Sequence, residues 1–145
     1  MATLDNELQD QIDELVDLAY EKSQKGDKIA SFELLHKAWE LYPEPKENWN
    51  EAYNTAKYLF DDYFSEGDLA ASEKWLKEML KNNDSLKLSE GEIQHYEGKY
   101  YFEVEKYQQA YERFKYAVEE AGFRYFENED YKYLDFYNNP EKYIK

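Results

Sequence analysis

Apolar residues recur every three or four positions along most of the chain, with charged residues between them. In residues 4–24 the apolar positions that fall on one helical face are Leu4, Leu8, Ile12, Leu15, Leu18 and Ala19. This spacing is typical of an amphipathic α-helix. The chain is therefore predicted to be all-α.

Short polar segments with glycine or proline divide this pattern into helices. The breaks are KGD at 25–27, the region of Pro43, EGD at 66–68, the polar KNNDS stretch at 81–85, and Gly122. The predicted helices cover residues 4–24, a segment ending at Leu41, 46–65, 69–81, about 89–103, about 106–120, and a short segment near 130–138. Ser89 and Glu92 have the spacing of a capping box at the start of the fifth helix.

Six of these helices are predicted to form three hairpins, at about residues 4–43, 46–83 and 89–121, within a single domain of residues 1–145. Their turns align at Gly26-Asp27, Gly67-Asp68 and Glu105-Lys106, with a period of roughly 40 residues. Residues 122–145 are rich in aromatic rings. Some of these rings are expected to cover Tyr107, Tyr111 and Phe114.

The hairpins resemble tetratricopeptide repeats (TPR). In the third hairpin the matching positions are Gly98, Tyr101, Ala110, Phe114 and Ala117. In the first they are Leu18, Ala19, Ser31, Leu35, Ala38 and Pro43, and in the second Leu59, Tyr63, Ser72, Leu76 and Met79. Phe60 and Glu97 depart from the pattern, as does the long period. The resemblance implies a right-handed solenoid of stacked hairpins with residues 122–145 as its cap.

The resemblance also implies a concave groove lined by the first helix of each hairpin. Its residues would be Asp13, Val16, Tyr20, Ser23 and Gln24; Asn54, Lys57, Asp61, Phe64 and Ser65; and Glu92, His95, Lys99, Phe102 and Glu103. Tyr131, Tyr133 and Tyr137 are further candidates for partner contacts. In the alternative interpretation, Tyr20, Phe64 and Phe102 pack against neighbouring hairpins.

The charge of the chain narrows the class of partner. With 33 acidic and 18 basic residues the net charge is -15, so a phosphate backbone would be repelled and a basic protein attracted. The absence of cysteine excludes disulfides and thiolate metal sites. The acidic N-terminus and the lack of a long apolar run favour a soluble, cytoplasmic protein that binds neither membrane nor nucleic acid. It is expected to be a monomer or weak homo-oligomer.

Two Glu-x-x-His motifs, Glu33/His36 and Glu92/His95, are the main candidates for chemistry, since di-iron helical bundles use this spacing. On the second helix, however, Glu33 and His36 fall opposite the apolar stripe of Phe32, Leu35 and Trp39, so they are predicted to face solvent. The adjacent acidic pairs Asp61-Asp62 and Glu119-Glu120 are also expected on solvated faces. No catalytic residue, metal or cofactor is therefore expected.

These features favour a non-catalytic protein that binds and neutralises a basic partner. Its size, acidity and repeat type are similar to those of helical-repeat immunity proteins, which inhibit bacterial toxins. The alternative is a TPR adaptor or scaffold for cytoplasmic proteins, and a more distant one is a metal-dependent helical-bundle enzyme. An inhibitor should have one tight, salt-sensitive partner, whereas an adaptor should bind several more weakly.

Overall fold

A computed structural model describes residues 4–86 and 90–144 of the chain. These residues form seven α-helices and no strand: α1 (Asn6–Gln24), α2 (Lys28–Leu41), α3 (Asn50–Ser65), α4 (Leu69–Leu86), α5 (Glu90–Glu103), α6 (Tyr107–Ala121) and α7 (Tyr131–Asn138). The all-α prediction is confirmed. Ser89 of the predicted capping box lies outside the described residues. None of the described helices combines the length and apolar character needed to cross a membrane.

The chain divides after residue 88 into two compact units. The first contains α1 to α4, with α1 packed on α2 and α3 on α4, and the second contains α5 to α7. Residues 46–48, predicted as the start of the third helix, form a separate short 3-10 helix before α3.

The three turns inside the hairpins share one hydrogen-bond pattern, although only two contain glycine. Gly26 and Gly67 have φ of 83° and 78°, and Glu105 at the aligned position has φ of 64°. In each turn the next amide donates to a carbonyl in the preceding helix: Asp27 to Lys22, Asp68 to Tyr63 and Lys106 to Tyr101, at 2.8, 3.0 and 2.9 Å. A left-handed residue closed by this bond is a common helix C-terminus. The predicted alignment of the turns agrees with their backbone geometry.

Small residues lie where paired helices approach closely. Ser31, Ser72 and Ala110, which occupy matching positions in the three hairpins, are all buried. On α5, a Cβ added to Gly98 would lie 2.7 Å from two ring carbons of Phe114. Because real Cβ atoms do not approach so closely, only glycine fits this crossing without displacing the ring.

Two tryptophans connect α2 and α4 in the core of the first unit. Trp39 of α2 and Trp75 of α4 are buried and meet edge to face, with ring centroids 5.1 Å apart. Helix α4 continues to Leu86, so the predicted end near residue 81 is wrong. Asn82 lies in the polar stretch expected to end the helix, but it is buried and its Nδ2 donates to the Trp49 carbonyl at 2.8 Å. That bond stabilises the additional turn.

The second unit has a core rich in aromatic rings. Phe102, Phe114 and Phe136 are buried, and the centroids of Phe102 and Phe136 lie 5.1 Å apart. Helix α7 corresponds to the short helix predicted near 130–138. Its rings contact α6 as expected, since Tyr137 stacks on Tyr111 with centroids 5.4 Å apart.

Candidate functional site

A groove of about 550 Å³ opens in the first unit beside α1, α2 and α3. Its floor is made by buried residues, Ala19 of α1 with Ser31 and Leu35 of α2. Tyr20 of α1 is 67% exposed and Tyr58 of α3 is 40% exposed, so these two rings form the rim. The remaining lining residues are Val16, Asp17, Ser23, Asp61 and Asp62.

The groove carries negative charge. Asp17, Asp61 and Asp62 all line it, whereas none of the described lining residues is a lysine or arginine. Burial raises the pKa of Asp62, although the charge of Lys28 and a hydrogen bond with the Ser31 hydroxyl at 3.5 Å oppose that change. The expectation that Asp61 and Asp62 lie on a solvated face is therefore wrong, because both are half-buried.

The structure brings together four of the predicted groove residues, Val16, Tyr20, Ser23 and Asp61, in this one groove. Helical spacing explains this for α1, where Val16, Tyr20 and Ser23 share one face. Asp13 is exposed on the same helix but does not line the groove, and its carboxylate accepts a hydrogen bond from the Gln9 amide at 2.8 Å.

The other predicted residues of the first unit lie outside the groove. Lys57 is half-buried, with its Nζ 5.8 Å from the Tyr53 ring centroid. Phe64 is half-buried and stacks on Phe60 of the same helix, with centroids 4.9 Å apart. Gln24, Asn54 and Ser65 are exposed.

The predicted groove residues of the third hairpin belong instead to a charged network within the second unit. His95 is 1% exposed, and its Nε2 lies 2.6 Å from Oε1 of Glu129. Lys99 is also buried and donates to Oε2 of the same carboxylate at 2.7 Å. These bonds attach the segment before α7 to α5, so His95 and Lys99 are covered by their own unit.

The other predicted groove residues of the third hairpin are Phe102, Glu103 and Glu92. Phe102 is buried against the ring of Phe136, rather than exposed on a groove. Glu103 is half-buried and accepts a hydrogen bond from the Tyr133 hydroxyl at 2.8 Å, while Glu92 is also half-buried. Three of the five predicted residues on α5 therefore lie in the interior of the second unit: His95, Lys99 and Phe102.

The His95–Glu129 contact fixes the protonation of both groups. Because a carboxylate only accepts hydrogen bonds, Nε2 of His95 carries a proton. Burial lowers the pKa of His95, and its bond to Glu129 only partly opposes this. Burial by itself would raise the pKa of Glu129, but the hydrogen bond from His95 and the charge of Lys99 outweigh it and lower that pKa. The fold thus favours neutral His95 beside ionised Glu129.

The three tail tyrosines predicted to contact a partner have different surroundings. Tyr133 is buried, and burial together with its bond to Glu103 raises its pKa. Tyr137 is half-buried where it stacks on Tyr111. Tyr131 is 68% exposed. Of the three, Tyr131 is the residue that lies on the surface.

The Glu-x-x-His motif of α2 is not directed to solvent as a whole. Glu33 is exposed as predicted, but the prediction for His36 is wrong, because α3 and α4 cover its ring. Its Nε2 lies 2.8 Å from the Tyr63 hydroxyl, and its ring packs edge-on against Trp75. Among residues 4–86 and 90–144, no group of three histidine, aspartate or glutamate side chains is arranged to hold a metal ion.

Sequence reasoning missed Asp17, Tyr58 and Asp62 in the groove and Glu129 in the network. Helical spacing offered a signal for two of them, since Asp17 precedes Tyr20 by three positions and Tyr58 precedes Asp61 by three. Glu129 gave no comparable signal, because its partner His95 is 34 residues away.

The groove offers carboxylates, hydroxyls and ring faces above an apolar floor. This set of groups suits the binding of a cationic side chain, since carboxylates pair with cations and aromatic faces attract them. No protein-family model, curated protein or solved structure matches the chain.

Proposed function

We propose that this chain is a non-catalytic binding protein that captures and masks a basic partner protein, as an immunity protein does with a toxin. The observation that carries the proposal is the acidic groove of the first unit, lined by Asp17, Asp61 and Asp62 together with exposed tyrosines. Aromatic rings are enriched at specific protein interfaces, and charges complementary to those of the partner add specificity and speed of association. The groove therefore supplies a place where a basic surface can dock.

The charge of the whole chain supports the same role. A net charge of -15 accelerates encounter with a basic protein and repels nucleic acid, so a masked nuclease would be kept from its substrate. Such steering weakens as salt rises. A partner captured in this way should bind rapidly and dissociate more readily at high ionic strength.

The hairpins are proposed to be TPR-like units, with residues 122–144 as a cap. The common geometry of the turns at Gly26, Gly67 and Glu105 supports this, as do the small buried residues at matching positions. Ring contacts from α7 to α6 support the capping role. In TPR proteins a groove between hairpins binds protein segments, which agrees with the role proposed for the groove here.

Capture of partners by the full chain tests the proposal. The tagged protein should retain one predominant basic protein from a lysate of its own cells at low salt, and salt of about 0.5 M should release it. The double variant D17N/D62N should weaken capture at least about tenfold. The control E33Q/E40Q removes two exposed carboxylates from α2 outside the groove and should retain most of the binding.

The pattern of captured proteins decides the outcome. If the unmodified chain captures a single basic protein and D17N/D62N does not, the result supports a masking protein. Several partners captured in similar amounts would favour an adaptor. Equal capture by D17N/D62N and E33Q/E40Q would contradict a role for the groove.

A further inference from the structure

The lining of the groove fits an arginine side chain better than a lysine side chain. We propose that the basic partner inserts an arginine into this groove, with its guanidinium between the tyrosine rim and the aspartates. The inference rests on the proposed function and specifies the chemistry that the site recognises.

The volume and apolar floor of the groove fit a long side chain with an apolar stem. Leu35 and Ala19 are 3% and 1% exposed and present carbon atoms at the floor. The three methylene groups of arginine can pack on such a surface while the charged end remains near the rim. A volume of about 550 Å³ also leaves room for neighbouring backbone of the partner.

The tyrosine rim favours guanidinium over ammonium. Tyr20 and Tyr58 are both exposed, and a planar guanidinium stacks on tyrosine rings while retaining its hydrogen bonds. An ammonium is compact and strongly hydrated, so it loses more hydration on entering. Tyr58 already has a cation close by, since Nζ of Lys57 lies 5.9 Å from its ring centroid.

The aspartates provide the acceptors that the five guanidinium N–H groups require. Asp61 and Asp62 are half-buried on α3, and Asp17 faces the groove from α1. A carboxylate can accept two parallel bonds from arginine, a geometry that lysine cannot form. Burial raises the pKa of Asp62, so a bound cation would lower it toward its ordinary value.

Binding of defined peptides to the full chain tests the inference by fluorescence anisotropy. The probes are three short labelled peptides in which glycine alternates with arginine, with lysine, or with citrulline, the uncharged analogue of arginine. The arginine peptide should bind about threefold to fivefold more tightly than the lysine peptide, as expected for one or two additional cation–ring contacts. The citrulline peptide should bind at least about tenfold more weakly than the arginine peptide.

Matched variants locate the binding. Y20A/Y58A should reduce the preference for arginine over lysine to the part supplied by the aspartates, while Y116A/F123A, which removes two exposed rings from the second unit, should preserve it in full. D17N/D62N should weaken both cationic peptides about tenfold, whereas E33Q/E40Q should not. Thermal melts of each variant show whether the fold is retained.

The outcomes separate this inference from the proposed function. Equal binding of arginine and lysine peptides, both lost in D17N/D62N, would overturn the arginine preference and leave the groove as a general site for basic partners. An undiminished arginine preference in Y20A/Y58A would also overturn the inference. Failure of every peptide to bind would overturn it too, whereas the proposed function is decided separately by capture of the partner.

Discussion

Replacing Glu129 by glutamine should destabilise the second unit strongly. The carboxylate accepts from His95 at 2.6 Å and from Lys99 at 2.7 Å, and both partners are donors. A glutamine amide has only one oxygen, so with that oxygen on Lys99 its NH₂ group faces Nε2 of His95. That nitrogen can accept only if the His95 proton moves to Nδ1, which is buried and has no hydrogen-bond partner among the described residues. The variant therefore loses a charge-assisted bond and leaves the Lys99 ammonium without this carboxylate.

The expected loss is about 3 kcal/mol. Breaking a buried charge pair costs about 3–5 kcal/mol, and the 22% exposure of the Glu129 side chain places this pair at the lower end. For a unit of this size, about 3 kcal/mol corresponds to a decrease in Tm of about 12 °C or more.

Chemical and thermal unfolding measure this effect, with E127Q as the control. Glu127 is exposed two positions earlier, so its substitution should change the free energy of unfolding by no more than about 0.5 kcal/mol. If E129Q and E127Q are equally stable, the network does not hold the segment before α7 to α5, and the reasoning is wrong.

Two further predictions concern the same unit. The pKa of His95 lies below 6.5 and that of Glu129 below 4.5, so both groups bind protons more readily in the unfolded chain. Their stabilising contributions should decline as pH falls below 6.5 and then below 4.5, which melts at decreasing pH would measure; constant stability across this window would contradict the network. G98A should cost about 1 kcal/mol or more, because overpacking against Phe114 exceeds the gain in helix propensity. G91A is the comparison, since a Cβ there would lie 3.0 Å from the end of the Glu120 side chain and 3.2 Å from the Tyr125 ring, which is less crowded than at residue 98. Equal stability of the two variants would refute close packing at residue 98.

The helices and turns were predictable because their signals are local. Gly26 and Gly67 mark two turns directly, and the third was found by alignment at Glu105, a residue that does not by itself indicate a left-handed conformation. The end of α4 was missed because the group that stabilises its last turn, the Trp49 carbonyl, is 33 residues from Asn82. A polar sequence resembles a helix terminus when such a distant partner is unknown.

The candidate site was predictable only in part, for the same reason. The resemblance to tetratricopeptide repeats placed Val16 and Tyr20 on the face of α1 where the structure has the groove. It also placed His95 and Lys99 on a groove, because a repeat pattern cannot reveal that Glu129 covers them. Of the four residues predicted correctly, Val16, Tyr20 and Ser23 share one face of α1, a relation that helical spacing alone reveals.

The long-range bonds of the second unit determine when each half of the protein can fold during synthesis. All four helices of the first unit, including the groove, are complete once residue 86 has left the ribosome. The rings of Phe102 and Phe114 have no cover from Phe136 until α7 has been made. Between these two moments the nascent chain can carry the complete groove followed by exposed aromatic surface, a state prone to aggregation or chaperone binding. Contact of the groove with the proposed partner would thus be possible before the second unit has folded.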